Sequence, residues 1–353
     1  MKSLPLFPAS IVGSIPRPLV VRELIEKPRW DASDTATMDA AIRFVVAMQE
    51  RAGLDVVNDG EWRRRSYIGV IAELAHGFTL EINPADGRPW TVVTERLTPK
   101  PAGFIAAEAA FVKKVATVAT KITLPAPALL GERLWDAERS KKAYPDRDDF
   151  VRACVAPLRA EIALLQDLGV EIVQIDDPHL CLFVDPDVRR KYDNPDRAAD
   201  FAVEMINETV RGFDGIKFAV HLCRRAGARV RGEKHHAGTY GPILEQLNRL
   251  KVRHLTMEFT AAGADDLESL GRLREDFELG LGVVDVTPGA PESASLIAAR
   301  VERALSRIDK TRITLNPDCG FAPGSAAKVD TDEVYLKLKA EAEAARMLRA
   351  KYA

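Results

Sequence analysis

The chain has 353 residues, 46% of them hydrophobic, and a formal net charge of −2. That is enough apolar material for one large domain or two ordinary ones, and too little charge to draw nucleic acid or an anionic membrane. No apolar run approaches the roughly 20 residues of a membrane span, and the opening MKSLPLFPAS, lacking a sustained apolar stretch, reads as mature sequence rather than a signal peptide.

Taken in chain order, short β-branched or apolar runs alternate with longer segments of helical spacing. The first run is ASIVGSI (9–15). A helix is predicted over 38–53, ending at Gly53, and LDVVNDG (54–60) follows. The long connection 61–119 carries Trp62 to Arg65, a proline-bearing patch around DGRPWTVV that suits a hairpin, and a helix at 104–118. Next come TKITLPAP (120–127), a helix over 148–169 ending at Gly169, and VEIVQIDDP (170–178). A helix over 195–213 precedes IKFAVHLC (216–223), and the basic, Gly-rich loop 224–238 follows. The remaining elements are a helix over 240–251, VRHLTMEF (252–259), FELGLGVVD (277–285), a helix over 294–308, RITLNPDCG (312–320) and a solvated outer helix over 333–352. Glycine at a helix end supplies the positive φ needed there.

Eight such runs, alternating with helical segments, read as an α/β single domain, a (β/α)₈ TIM barrel over residues 1–353. A doubly wound open sheet is the alternative. The strand count and the lack of a Gly-rich phosphate loop weigh against it.

Barrel enzymes keep their active sites at the C-terminal ends of the strands. The polar residues falling there are Ser14, Asn58, Asp59 and Glu61, Asp176, Asp177 and His179, His221 and Cys223, Glu258, Asp285, and Asn316, Asp318 and Cys319. Four cysteines in a chain this long are no disulfide framework, so reduced thiols in a cytoplasmic protein are expected. His221 and Cys223, two apart on an extended strand, point the same way. Glu258 and Cys319 arrive from nearby strands. A mixed N, S and O donor set suits Zn²⁺, and soft thiolates disfavour Mg²⁺ and Ca²⁺. The competing reading makes Cys223 and Cys319 small buried hydrophobes. Cys154, inside a helical stretch, and Cys181, in an apolar run, read as structural.

The blocks VGSIPRP (12–18), VVNDGEWRR (56–64), VQIDDP (173–178), HLC (221–223), TMEF (256–259), ELGLGVVDV (278–286) and LNPDCGF (315–321) span nearly the whole chain. In type and order they resemble the catalytic C-terminal barrel of cobalamin-independent methionine synthase and its single-barrel relatives. The resemblance implies a catalytic zinc on His221, Cys223, Glu258 and Cys319. It implies amino-acid substrate contacts at the backbone around Ser14, at Glu61 and at Asp176. It also implies transfer of an alkyl group to a zinc-bound thiol, ordinarily a methyl group from a folate to homocysteine. The partners expected are thus a small-molecule thiol and an alkyl donor.

The sequence departs from the family pattern in two places within the barrel. Thr287 stands where the family has its proton-donor histidine, and Asp177 where it has Glu. His179, followed by Asp177 and the pair His235-His236, becomes the candidate acid, with a neighbouring carboxylate expected to raise its pKa. Its competing reading is a loop histidine bonded to backbone. The basic loop reads either as a solvated segment or as a cover that binds an anionic substrate by Arg forks. Single-barrel relatives that open epoxides with the thiol sulfonate coenzyme M supply the alternative activity. Decarboxylases sharing the barrel need no zinc, and a non-catalytic binding protein needs no such concentration of strand-end ligands.

Overall fold

The computed structural model describes residues 4–83, 87, 89–224, 236–322 and 329–353. Its strands are β1 (Val56–Val57), β2 (Ala75–Ile82), β3 (Pro89–Pro99), β4 (Ala119–Pro125), β5 (Ile172–Asp176), β6 (Lys217–Leu222), β7 (His254–Glu258), β8 (Glu278–Val284) and β9 (Ile313–Pro317). β2 and β3 form the expected hairpin. The other seven form one parallel sheet in the order β1-β4-β5-β6-β7-β8-β9. The ring is completed by the first of the predicted runs. Ala9 bridges Leu315 of β9 and Ser10 bridges Val56 of β1, both in parallel. Ser10 N–H donates to Leu315 O at 3.0 Å, and Asp55 N–H donates to Ala9 O at 2.8 Å. All eight predicted runs therefore supply barrel backbone, in a TIM-barrel fold.

The strands read as continuous apolar runs because both faces are covered: β5, β7 and β9 are buried at every position. The main helices lie at Ala32–Ala52, Phe104–Val115, Arg147–Asp167, Pro195–Val210, Ala294–Ala304 and Thr331–Tyr352. Gly53 ends the first of them at φ 101, as expected. The segment predicted as one helix over 240–251 is instead a 3₁₀ turn, Gly241–Ile243, and a single helical turn, Leu244–Asn248. No helix among the described residues is long and apolar enough to cross a membrane.

The last helix corrects its reading as an ordinary solvated element. Its Lys337 and Glu341 are buried, and Glu341 Oε1 accepts the Ser10 N–H at 3.1 Å. Burial holds the Glu341 carboxyl well above its ordinary pKa. The C-terminal helix thus seals the seam where the first run closes the barrel.

A second buried carboxylate organises the outer layer. Glu161, with no exposed surface, accepts N–H bonds from Gly103 (2.6 Å), Phe104 (3.2 Å), Ile105 (3.0 Å) and Ala106 (3.0 Å). These are the otherwise unpaired donors at the start of the Phe104–Val115 helix, where a negative charge is also favoured by the helix dipole. Glu161→Ala should destabilise the fold by about 3 kcal/mol, because four donors, two of them buried, lose their acceptor at once. Urea unfolding measures this, and a loss below about 1 kcal/mol would mean that water replaces the carboxylate.

Candidate metal and substrate site

The residues predicted to hold a metal meet at the C-terminal mouth. His221 lies near the end of β6, Cys223 just beyond it, and Cys319 two residues past β9. One ligand atom from each of the three lies within 4.8 Å of the others, and all three residues are buried. The Cys223 and Cys319 sulfurs are 3.1 Å apart. Glu258, the last residue of β7, places Oε1 3.4 Å from Cys223 Sγ, where it also accepts the Arg224 N–H at 3.1 Å. It stands beside the three-atom cluster rather than within it.

His221 is oriented by its barrel neighbour. Asp176 and His221 are register partners across β5 and β6, and His221 Nδ1 lies 3.0 Å from Asp176 Oδ1. Gln174 Nε2 donates to the same oxygen at 2.8 Å. With Nδ1 taken by a carboxylate, Nε2 is the ring nitrogen left to ligate. It is buried and has no hydrogen-bond partner among the described residues. Burial would lower the His221 pKa, but the bond to Asp176 and the proximity of Cys223 outweigh it and lift it to about 9. The Cys223 thiol is pushed well up by its bond to Cys319 and by burial. A dication fits this donor set: it would offset the charge of two thiolates and give His221 Nε2 a partner.

The expected substrate residues border the same centre. Ser14 O accepts the Phe321 N–H at 2.9 Å. Ser14 Oγ packs so closely on Gly320, next to Cys319, that a Cβ there would sit 2.3 Å from it. Glu61 is buried, at 5% exposure, in a left-handed conformation with φ 60. Burial raises its pKa, Arg64 opposes the rise and nearby Asp176 adds to it. Tyr67, which the strand-end reasoning passed over, is also here. Burial raises its phenol pKa, with Arg133 opposing and Cys319, Cys223 and Asp176 adding. It lies just past the quoted GEWRR block, which is the signal that points to it.

Asp177 and His179 lie at the start of the short helix that follows β5. Asp177 Oδ1 caps the short helix Pro178–Leu182 by accepting the Leu180 N–H at 2.9 Å, and burial raises its carboxyl pKa to about 7. His179 Nε2 lies 2.8 Å from Tyr192 Oη and 3.5 Å from Glu132 Oε1. The expected rise in its pKa is reversed: burial lowers it to about 4, against the pull of Glu132 and with help from Arg147 and Arg133. The carboxylate that faces the ring is Glu132, not its neighbours in sequence. At the family's histidine position, Thr287 N–H donates to Asp285 Oδ1 at 2.9 Å, and buried Lys337 bonds to Thr287 O. Of the basic loop, 225–235 falls outside the described residues, including His235. His236 Nδ1 lies 2.7 Å from Asp185 Oδ2.

The His179 pKa makes a prediction about acid stability. Its folded value, about 4, lies below the ordinary histidine value, so between the two the unfolded chain binds the extra proton. Stability is therefore lost as pH falls from about 6.5 towards 4, by at most about 3 kcal/mol from this ring. In His179→Gln that share of the acid sensitivity should disappear. Urea unfolding at pH 7 and pH 4.5 measures it, and an undiminished loss in the variant would contradict a neutral buried ring.

Comparison with known proteins places this geometry in a family. The sequence matches the family described as "Cobalamin-independent synthase, Catalytic domain" over residues 7–347. A methionine synthase of Saccharolobus islandicus is 30% identical over 335 residues, covering 91% of this chain and 90% of that protein. One from Pyrococcus furiosus is 26% identical over 372 residues, covering 98% and 94%. Among solved structures, a B12-independent methionine synthase from Shewanella sp., in complex with selenomethionine, superposes with a TM-score of 0.79 at 21% identity, covering 98% of this chain and 99% of that one. One described as a putative vitamin-B12-independent methionine synthase from Listeria monocytogenes gives 0.72 at 21%, with coverage of 98% and 99%. The chain belongs to the methyltransferase family of cobalamin-independent synthase catalytic domains.

Proposed function

We propose that this protein methylates the thiol of homocysteine with the help of a zinc ion held by His221, Cys223 and Cys319, Glu258 being the exchangeable fourth ligand. The observation that carries the reading is the convergence of one nitrogen and two sulfur atoms within 4.8 Å in a buried site at the barrel mouth. Bound zinc lowers a thiol's pKa and keeps it as the thiolate at neutral pH. The protein's own residues do the rest. Asp176 holds the His221 ring through Nδ1, which leaves Nε2 for the metal. Glu258, off the three-atom cluster and held by the Arg224 N–H, has somewhere to go when a substrate thiol enters.

Glu61 and Asp176 supply the amino-acid end of the site. Two buried carboxylates, with Asp176 close enough to add to the raised pKa of Glu61, favour a cation between them. The homocysteine ammonium is such a cation, and the backbone around Ser14 receives the other end. The same carboxylates would repel a thiol sulfonate, which argues against an epoxide-opening activity with coenzyme M. The methyl donor is expected to be 5-methyltetrahydrofolate or another carrier of activated methyl.

Cys319→Ser should lower zinc affinity by at least about a hundredfold and abolish turnover, since zinc favours thiolate over a hydroxyl. Metal analysis of the purified variant and an absorption-edge titration of the native protein with homocysteine measure this. Full zinc content and turnover in Cys319→Ser would overturn the ligand assignment. Native zinc coordination indifferent to homocysteine would point to another thiol.

A further inference from the structure

The carboxylate of Glu61 is held by a directional relay that starts at a buried ion pair. Arg64 and Glu108 are each 2% exposed at the side chain, and Arg64 Nη2 donates to Glu108 Oε2 at 2.8 Å, with Nε donating at 2.9 Å. The remaining edge of the guanidinium faces β4. Arg64 Nη1 donates to Thr123 O at 2.9 Å and to Thr123 Oγ1 at 3.0 Å. Thr123 Oγ1 in turn donates to Glu61 Oε1 at 2.7 Å. A hydroxyl has one hydrogen. With its acceptor side occupied by a permanently charged guanidinium, that hydrogen is committed to Glu61, and the cation polarises the bond.

The backbone under Glu61 is fixed as firmly. Arg17 Nη2 donates to Glu61 O at 2.8 Å and to Arg64 O at 2.6 Å, and Glu61 N–H donates to Asp59 Oδ1 at 2.9 Å. On the other side, Gly13 presents no side chain. A Cβ there would lie 2.8 Å from Glu61 Oε1 and 3.5 Å from Thr123 Cγ2. Glu61 is thus aimed by Thr123 and Arg64, braced by Arg17 and given room by Gly13.

We propose that Thr123, ordered by Arg64 and Glu108, is a positioning residue that sets selectivity for an amino-bearing thiol by fixing the Glu61 carboxylate. This rests on the reading of Glu61 as an ammonium site and names the groups that make that site selective. A merely structural role for the relay would weaken all thiols alike. A positioning role weakens only those carrying the ammonium that Glu61 meets.

The test compares L-homocysteine with 4-mercaptobutanoate, the same molecule without its amine, by calorimetric titration of the zinc-loaded protein. This measurement needs no methyl donor. Thr123→Val keeps the shape and removes the hydroxyl. It should raise the homocysteine Kd about tenfold, with the 4-mercaptobutanoate Kd and zinc content unchanged. Thr123→Ser, which retains the hydroxyl, should restore homocysteine binding. Glu108→Gln should shift the same ratio in the same direction if Thr123→Val proves too unstable to purify. If Glu61→Gln loses discrimination between the two thiols while Thr123→Val and Glu108→Gln keep it, the relay is overturned and the ammonium site stands. If Glu61→Gln itself binds both thiols as the native protein does, the ammonium site falls and the relay with it.

Discussion

The contact between Asp176 and His221 ties the fold to the site. The two residues are partners in the register of β5 and β6, so the parallel ladder that builds the barrel also sets the 3.0 Å approach of carboxylate to imidazole. A one-residue slip of either strand would turn one of the pair to the outer face. The same ladder continues through His221 opposite Thr256, on β7, which ends at Glu258. β8 then carries the register to β9, just beyond which Cys319 is placed. The donor atoms converge because adjacent strands finish at one level, and their chemistry follows from that level.

Placing so many acids and thiols in one mouth is an electrostatic problem. Part of the answer is a set of arginines that are themselves buried. Arg64 pairs with Glu108, whose carboxyl burial lifts to about 7 although Arg64 opposes the rise. Arg224 is 1% exposed and stacks 4.4 Å over the Tyr240 ring, with Glu258 and Asp318 in its field. Tyr240 in turn donates to Glu258 O at 2.9 Å. A guanidinium keeps its charge under burial, so it can balance carboxylates where a lysine would give up its proton. Lys121 illustrates the contrast: buried lower in the barrel, it has its pKa reduced to about 8 by burial, despite Asp176 and Glu341.

The barrel was legible because buried parallel strands announce themselves as short apolar runs and because helices stop at glycine. The candidate metal cluster was legible for a related reason: His221, Cys223 and Cys319 fall at or just past the ends of such runs, and those ends meet. What escaped sequence reasoning depends on approaches between distant segments. His179 follows two aspartates, yet Asp177 is spent on a helix cap and the ring turns to Tyr192 and Glu132. The sign of its pKa shift is set by that burial, which neighbours in sequence do not reveal. Thr123 is an ordinary strand residue until Arg64, 59 positions away, and Glu61, 62 away, are seen to bond to it. Glu161 looks like one more charge on a helix, and only the fold brings the start of Phe104–Val115 onto it.

These longer-range contacts decide how much of the site exists before a substrate arrives. A left-handed non-glycine residue such as Glu61 is disfavoured on its own, by roughly 1–3 kcal/mol, and persists only where surrounding bonds over-determine it. Here the Arg17 bonds to two carbonyls and the Asp59 bond to the Glu61 N–H do so. The carboxylate is therefore aimed by the protein's own bonds. The two halves of the mouth differ in kind. The Glu61 half is held by the protein's own cations, whereas in the other half the Cys223 and Cys319 sulfurs lie 3.1 Å apart with the Glu258 carboxylate 3.4 Å from Cys223. A metal bound there, as proposed, would stabilise the folded state by its binding free energy, so metal affinity and stability at this end of the barrel would be one linked quantity.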